Sequence, residues 1–361
     1  MSELRFAVLG AGHGGMAMAA HLALMGYPVR MYNRSEARIY PIRLAGGIEL
    51  SGVLEGIGKI EIATTNIEEA ISGVNIIMVV VPANGHRFMA EKVAPHLEEG
   101  QIILLNPGRT GGAFEFRQVL KEHGVQKKVI IGEAQTLLYA CRSINPAQVK
   151  VFGIKHSVPV AALPGQQTVE LLKKLHPAYP QFVPGDNVLK TSLDNIGAVF
   201  HPALMVLNAA RIESTRGDFQ FYFDGITPSV SLVLEQLDRE RVAVAAALGI
   251  RAMTAREWLY IAYDAHGKTL YDAIQNNVGY KGIQAPSVID HRYIWEDVPM
   301  SLVPIASIGD LLGVETPTIK HIIHLAGIMN GCDYWAEGRT VEKMGLAGLT
   351  PQEIRRLALE G

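Results

Sequence analysis

The stretch that decides the fold is Arg5-Phe6-Ala7-Val8-Leu9-Gly10-Ala11-Gly12-His13-Gly14-Gly15. A short apolar strand leads into a glycine-rich turn with the spacing G-x-G-x-x-G, and a helical run over 16–25 follows. Gly10 permits a tight turn, Gly12 lets the backbone approach a pyrophosphate, and Gly15 lets the helix pack close to the strand. Free N–H groups at the helix start then face the phosphates. The stretch predicts a dinucleotide-binding turn.

The alternation of strand and helix continues through the first half of the chain. Near-continuous hydrophobicity in its short apolar runs is typical of parallel strands that are covered on both faces. The predicted strands are 5–9, 29–32, 75–81, 101–105 and 129–131, with 149–152 and 158–163 added at the far end of the sheet. We therefore expect an α/β fold that begins with a Rossmann domain, a doubly wound parallel sheet.

The pattern changes after Pro177, Pro180, Pro184 and Gly185, which mark the candidate domain boundary. Long segments with helical spacing follow it, and few strand-like runs remain. The predicted helices are 193–214, 228–248, 255–265 and 317–329. The prediction is a dinucleotide-binding domain over 1–185 and an all-helical substrate domain over 186–361.

Composition excludes several classes of protein. Lys and Arg number 33 against 35 Asp and Glu, a net charge of −2, which argues against a nucleic-acid partner. The longest uncharged apolar run, 242–250, is far shorter than the roughly 20 residues that span a bilayer. Cys141 and Cys332 are too few for a disulfide framework or a Cys-rich zinc site, and no H-E-x-x-H spacing suggests another metal. With no targeting pattern at the N-terminus, we expect a cytoplasmic protein without a metal.

The tip of the second strand indicates which nucleotide fits. An NAD enzyme usually has Asp or Glu there, which bonds the ribose 2′-hydroxyl. This chain has the neutral Asn33, followed by Arg34 and Ser35, which could hold a 2′-phosphate together with Arg38. We predict NADP as the cofactor, with NAD as the possible alternative.

Two more loops follow strands at the edge where open sheets bind ligands. They are 81–84, which contains Pro82, and 106–112, which begins with Asn106. The predicted cofactor-binding residues are Gly10, Gly12, His13, Gly14, Gly15, Asn33, Arg34, Ser35, Pro82 and Asn106.

His201 is the histidine that most invites a catalytic role. It lies in an apolar segment with small residues at the start of the second domain, where a titratable side chain would face a cleft between domains. On the residues alone, both a packed core histidine and a catalytic one stay open.

Ordered motifs run along the whole chain. They are the glycine turn, Leu105-Asn106-Pro107-Gly108-x-Thr110-Gly111-Gly112, Thr191-Ser192-Leu193-x-Asn195, His201-Pro202, Leu207-Asn208-Ala209-Ala210-Arg211, Gly225-Ile226-Thr227-Pro228-Ser229-Val230 and Arg292-Tyr293-x-x-Glu296-Asp297-Val298. Through them, residues 4 to 350 resemble the octopine/nopaline dehydrogenase (opine dehydrogenase) family.

The resemblance implies a function and three site residues. The family's catalytic histidine falls on His201, its carboxylate partner on Asp297, and the arginine that anchors a substrate carboxylate on Arg292. An α-keto acid such as pyruvate would condense with the amino group of an L-amino acid, and the imine would be reduced by a hydride from NAD(P)H. Because Asn33 and Arg34 depart from an acidic strand tip, the cofactor preference is not carried over.

Two other functions remain as alternatives. One is a ketopantoate reductase-like or 2-hydroxyacid reductase, although such enzymes usually have a lysine in place of His201 and Lys190 lies too early in the chain. The other is a nucleotide-binding sensor without turnover. We expect the amino-acid pocket near 219–223 and 280–286, and fold-level reasoning suggests a homodimer.

Overall fold

The computed structural model describes residues 4–361. The chain forms two compact units: Met1–Ser192 with Arg356–Gly361, described from residue 4 onward, and Leu193–Arg355. The expectation that the extreme N-terminus carries no targeting segment concerns residues 1–3, which lie outside the described residues.

The strands all belong to the first unit. They are β1 (Phe6–Leu9), β2 (Val29–Tyr32), β3 (Gly47–Gly52), β4 (Gly56–Lys59), β5 (Ile62–Thr64), β6 (Ile76–Val79), β7 (Ile102–Leu105), β8 (Ile130–Ala134), β9 (Tyr139–Asn145), β10 (Gln148–Ile154), β11 (Val158–Leu163) and β12 (Phe182–Pro184). Within residues 4–361 they form an eight-stranded sheet and a four-stranded sheet.

The larger sheet has the order β12-β11-β8-β7-β6-β1-β2-β5. Its strands from β8 to β5 are parallel, and β11 pairs antiparallel with β8 and parallel with β12. Strands β1, β6 and β7 are completely buried, as expected for strands covered on both faces. The predicted Rossmann domain is confirmed, and 158–163 lies near the far end of the sheet as predicted.

The predicted position of the strand at 149–152 is wrong. Its segment, β10, pairs with β3 and β9 in the smaller sheet, which has the order β4-β3-β10-β9. Val149 and Val151 are buried, whereas Lys150 and Phe152 are exposed. This alternation is typical of a sheet with one covered face rather than two.

The smaller sheet covers the first helix. The helices are α1 (His13–Leu24), α2 (Glu36–Ala45), α3 (Ile67–Ile71), α4 (His86–Val93), α5 (Gly112–Glu122), α6 (Thr168–Leu175), α7 (Val188–Leu193), α8 (Gly197–Leu207), α9 (Ala209–Thr215), α10 (Pro228–Ala247), α11 (Ala255–Tyr263), α12 (Leu270–Gln275), α13 (Arg292–Trp295), α14 (Val303–Leu312), α15 (Pro317–Asn330), α16 (Tyr334–Glu337) and α17 (Pro351–Leu359). Helix α1 is buried on nearly every side because it lies between the two sheets. Strand β4 approaches it so closely that a Cβ at Gly58 would lie 2.4 Å from the Ala20 carbonyl oxygen.

The second unit is helical, as predicted. Helix α10 contacts α8, α14 and α15. The segment predicted as one helix over 193–214 divides into α8 and α9 at Asn208, whose side chain donates to the carbonyls of Leu204 and Gly225. A side chain that bonds nearby backbone in this way competes with helix continuation.

The two units divide at Ser192/Leu193 rather than at the predicted 185/186, and residues 356–361 belong to the first unit rather than to the helical one. Thr191 and Ser192 stay with the first unit because both hydroxyls donate to the carboxylate of Glu133, at 2.7 and 2.8 Å.

Candidate active site

The glycine turn joins β1 to α1 in the first unit. Gly10 has φ +116°, a conformation that favours glycine, and a Cβ there would lie 2.4 Å from the carbonyl oxygen of Val80. A Cβ at Gly15 would lie 1.8 Å from the carbonyl oxygen of Gly10, so the helix can start this close to the strand only with glycine. At Gly12, no atom of the described residues 4–361 lies within 4 Å of the corresponding Cβ position. The turn is therefore tight at both ends and open in the middle.

The N-terminus of α1 lies directly at the open position of the turn, Gly12. Gly12 is the N-cap residue, and within residues 4–361 no side chain caps the helix. Uncapped N–H groups and the positive end of the helix dipole favour an anion. The arrangement fits the pyrophosphate of a dinucleotide.

Asn33 lies at the tip of β2, and its side-chain amide oxygen accepts a hydrogen bond from the glycine turn. Asn33 Oδ1 accepts the N–H of Ala11 at 3.1 Å, and the Asn33 N–H donates to the Thr64 carbonyl at 3.2 Å. An amide can brace the turn in this way without placing a negative charge beside the nucleotide. The sequence indicated that no carboxylate is present at this strand tip, and the structure adds the hydrogen bond between Asn33 and Ala11.

Three polar side chains next to Asn33 are exposed: Arg34, Ser35 and Arg38. Ser35 is the N-cap residue of α2, yet in the described part of the chain its hydroxyl makes no capping hydrogen bond. The nearest carboxylate along the chain, Glu36, is paired with Arg43 at 2.8 Å. Two cations and an available hydroxyl therefore lie at the strand tip, with the neighbouring negative charge compensated.

His13 and Gly14 contact the smaller sheet and the loop before it. The Ser143 N–H donates to His13 Nδ1 at 2.9 Å, and the Ser143 hydroxyl lies 2.8 Å from the same nitrogen. A Cβ at Gly14 would lie 2.9 Å from a methyl of Leu137. These two residues thus fix the start of α1 against residues 137–143.

The predicted loop residues Pro82 and Asn106 lie just after β6 and β7. Asn106 is buried, its side-chain N–H donates to the Leu104 carbonyl at 2.9 Å, and within residues 4–361 its Oδ1 has no hydrogen-bond partner. A buried acceptor without a partner is costly unless a ligand supplies a donor. Asn106 therefore offers an acceptor at the ligand-binding edge of the sheet.

Glu133 is a residue that the sequence analysis missed. It is buried near the carboxyl end of β8, and besides the hydroxyls of Thr191 and Ser192 it accepts the N–H of Ala113 at 2.9 Å. Ser192 in turn accepts the N–H of Gly111 at 3.0 Å. One carboxylate therefore joins the loop 106–112 to the end of α7. The only sequence signal for it was the paired hydroxyls in the motif Thr191-Ser192.

In the second unit, His201 and Asp297 meet across 96 residues of sequence. His201 Nδ1 lies 2.9 Å from Asp297 Oδ2, with the histidine side chain 19% exposed and the aspartate 0%. An ionised carboxylate only accepts, so Nδ1 carries the proton and Nε2 remains for other chemistry. The structure thus brings together the two residues that the resemblance paired.

Two buried hydrogen bonds in series connect Asn195 to the second carboxylate oxygen of Asp297, Oδ1. Asn195 donates to the Ser301 hydroxyl at 2.9 Å, and that hydroxyl donates to Asp297 Oδ1 at 3.4 Å. Ser301 lies in the π-helical segment Val298–Leu302. Such segments are frequent at functional sites, because the wider turn changes the direction of its side chains. Asn195 and Ser301 are two more residues that the site analysis from sequence did not assign.

Arg292 lies one turn before Asp297 and is oriented by Glu296. Its Nε and Nη2 donate to Glu296 Oε2 at 3.0 and 2.5 Å, while the arginine side chain is 48% exposed and the glutamate 1%. A buried carboxylate that holds one side of a guanidinium leaves other N–H groups available for a second anion. Arg292 is therefore suited to bind a carboxylate.

Aromatic rings pack around His201. Tyr293 stacks on the imidazole at 4.0 Å, and Phe221 stacks on Tyr293 at 5.5 Å. The two segments proposed for the pocket lie together, since Tyr222 stacks on Tyr280 at 4.1 Å. Burial raises the pKa of Tyr222 well above its usual value, so its hydroxyl stays protonated.

Neither a metal site nor a membrane helix is present in the described part of the chain. Among residues 4–361, no group of three or more His, Cys, Asp or Glu side chains could hold a metal ion. No helix in the same range has the length and apolar character needed to cross a bilayer.

Comparisons with known proteins cover both units. A family model described as NAD/NADP octopine/nopaline dehydrogenase, alpha-helical domain, matches residues 184–330. A model described as NAD-dependent glycerol-3-phosphate dehydrogenase N-terminus matches residues 5–129. The opine dehydrogenase of Arthrobacter sp. (strain 1C) is 42% identical over 351 residues, which are 97% of each chain.

Solved structures match over nearly the full length. Octopine dehydrogenase in complex with NADH and agmatine matches with a TM-score of 0.82 at 23% identity, over 97% of each chain. Yersinopine dehydrogenase with NADP⁺ bound matches with a TM-score of 0.77 at 14% identity, over 98% of each chain. At these identities the likeness establishes the fold.

Proposed function

The chain belongs to the opine dehydrogenase family, and we propose that His201, Asp297 and Arg292 carry its reaction. The protein is an NAD(P)-dependent oxidoreductase that acts on CH–NH groups. It joins an α-keto acid to the amino group of an amino acid by reductive condensation and catalyses the reverse oxidation. The buried Asp297, 2.9 Å from His201 Nδ1, is the observation that supports the assignment of roles.

His201 acts as the general acid and base. When the amine has added to the keto carbon, protonated Nε2 donates a proton to the departing hydroxyl, and water leaves as the protonated imine forms. In the oxidative direction the neutral Nε2 accepts a proton from the water that adds to the imine. Asp297 fixes the ring orientation and stabilises the imidazolium, while Ser301 and Asn195 hold Asp297 in place.

Arg292 anchors a substrate carboxylate. Its planar fork suits two parallel hydrogen bonds to a carboxylate, and Glu296 keeps the fork in one orientation. Arg292→Lys keeps the charge but loses the fork, so we expect a higher KM for the keto acid or the amino acid with a smaller change in kcat.

The first unit binds the nicotinamide dinucleotide, which supplies or accepts the hydride. The open position at Gly12, the uncapped start of α1 and the acceptor Asn106 Oδ1 fit a pyrophosphate and a hydrogen-bond donor. Whether NADP or NAD is preferred is decided at the tip of β2. The exposed Arg34, Ser35 and Arg38, with Asn33 uncharged, support a preference for NADP.

The decisive experiment measures cofactor oxidation with pyruvate, with and without a panel of L-amino acids. Oxidation that requires both substrates is expected, whereas oxidation with the keto acid alone would indicate a simple reductase and none would indicate a sensor. His201→Ala should lower the rate by roughly 10²–10⁴. The matched control is His266→Ala, because His266 also pairs with an aspartate, at 3.0 Å, but on an exposed surface. Wild-type turnover in His201→Ala would refute the assignment.

Two further features are proposals about the protein in its cell. We propose a cytoplasmic location, which the two free cysteines Cys141 and Cys332 support, since secreted chains tend to pair theirs. We also propose a homodimer, which light scattering after size-exclusion chromatography would test against a monomer.

A further inference from the structure

The imidazole of His201 belongs to a stack of three rings. The ring centroids of His201 and Tyr293 are 4.0 Å apart with an interplanar angle of 17°. Phe221 also stacks on Tyr293, at 5.5 Å and 22°. His291 meets Tyr293 edge-on at 4.5 Å and 78°. Tyr293 thus contacts three rings, and one of its faces lies on the imidazole of His201.

The hydrogen bond to Asp297 alone does not fix the histidine. It restrains Nδ1, but the ring can still tilt about the line that joins Nδ1 to the carboxylate, and rotation about χ2 is soft for histidine. Tilting would move Nε2, the atom that exchanges the proton. A parallel ring at 4.0 Å blocks that tilt because the imidazole face would run into it.

We infer that Tyr293 is a positioning residue for this reaction, and that its ring, rather than its hydroxyl, holds His201 at the angle at which Nε2 reaches the substrate. This inference rests on the acid–base role proposed for His201. Helix α13 and the residues after it would then contain three functional side chains within six positions. They are Arg292, which anchors a carboxylate, Tyr293, whose ring positions His201, and Asp297, which accepts from His201.

Steady-state kinetics test the inference with two kinds of replacement. Tyr293→Phe keeps the ring and should keep kcat within about threefold of the wild type. Tyr293→Leu removes the ring and should lower kcat roughly ten- to hundredfold while both KM values stay within about twofold, because misplacement of a reacting group affects the chemical step. Tyr260→Leu is the matched control, since Tyr260 also packs on a histidine, His266, at 4.8 Å but far more exposed. It should leave kcat unchanged.

Nuclear magnetic resonance provides a direct signature that activity does not. With ¹³C-labelled histidine, the ring protons of His201, assigned with His201→Ala, should show an upfield ring-current shift in the wild type and in Tyr293→Phe. The shift should disappear in Tyr293→Leu. Tyr293→Met serves as a second aliphatic replacement if the leucine variant does not fold.

The outcomes separate this inference from the proposed function. Unshifted His201 protons in the wild type would overturn the stack without any variant. Equal losses in Tyr293→Phe and Tyr293→Leu would assign the effect to the hydroxyl, and full kcat in a folded Tyr293→Leu would remove the positioning role. In each of these cases an inactive His201→Ala would leave the acid–base assignment standing, whereas an active His201→Ala would refute that assignment itself.

Discussion

Arg34→Ala should remove most of a preference for NADPH. The Arg34 side chain is exposed, and within residues 4–361 it makes no hydrogen bond or ion pair, so its guanidinium is available to a ligand. The nearby Asn33 Oδ1 is engaged with the Ala11 N–H and adds no negative charge. A 2′-phosphate at this strand tip would therefore meet a cation and no opposing carboxylate.

The magnitude follows from one charge-assisted hydrogen bond. Such a bond contributes about 1.5–3 kcal/mol, and each 1.4 kcal/mol is tenfold in affinity. The wild type should thus favour NADPH over NADH by roughly ten- to hundredfold in kcat/KM. Because Arg34 is exposed and screened by salt, a value nearer tenfold is expected at physiological ionic strength. In Arg34→Ala the ratio of the two kcat/KM values should be close to one, because kcat/KM for NADPH falls while kcat/KM for NADH stays unchanged.

The assay measures kcat/KM for both nucleotides at saturating keto acid and amino acid, at low and at high salt. Lys127→Ala is the control, because Lys127 is an exposed cation of the same unit that precedes β8, at the edge opposite the strand tips. Its ratio should equal that of the wild type. A wild type that prefers NADH, or a ratio that Arg34→Ala does not change, would show that this strand tip does not bind a 2′-phosphate.

Three more outcomes are expected. Asp297→Asn should lower kcat at least tenfold, because an amide accepts a weaker hydrogen bond from His201 Nδ1 than a carboxylate does and orients the ring less firmly; wild-type kcat in this variant would contradict the pairing. Glu296→Gln should raise the KM of one substrate about tenfold with little change in kcat, because Arg292 loses the carboxylate that orients it. A tenfold higher KM corresponds to a loss of roughly 1.4 kcal/mol in binding. KM values equal to those of the wild type for both substrates would contradict this role of Glu296. Burial lowers the pKa of His21 from its usual 6.5, so the unfolded chain binds the extra proton and stability should fall as the pH drops below about 6.5; the melting temperature of the wild type should therefore fall more between pH 8 and pH 5.5 than that of His21→Phe, and equal falls would contradict the lowered pKa.

Local sequence fixed the parts of the fold that depend on neighbouring residues. The spacing of Gly10, Gly12 and Gly15 sufficed for the turn, because the conformation and close approach it needs allow only glycine at two of these positions. Apolar runs located the central strands, since a strand buried on both faces has no polar positions. The resemblance supplied His201, Asp297 and Arg292 as candidates, because it rests on motifs with fixed order.

Other features depend on residues that are distant in sequence and therefore leave little local pattern. The alternation in β10 did not show which sheet it would join, because pairing with β3 is decided by the surface of α1 that both strands cover. Glu133 reads as an ordinary polar residue in a strand until the hydroxyls of Thr191 and Ser192 are brought to it.

The geometry around the catalytic candidates likewise came only from the tertiary structure. The motif that contains Tyr293 does not show that its ring lies on a histidine 92 positions earlier, and no spacing rule joins Asn195 to Ser301. Sequence therefore determined which chemical groups are present and the local elements that carry them. Their distances and orientations were decided by the packing of helices that lie far apart along the chain, because hydrogen bonds and ring stacks depend on position in space and not on separation in sequence.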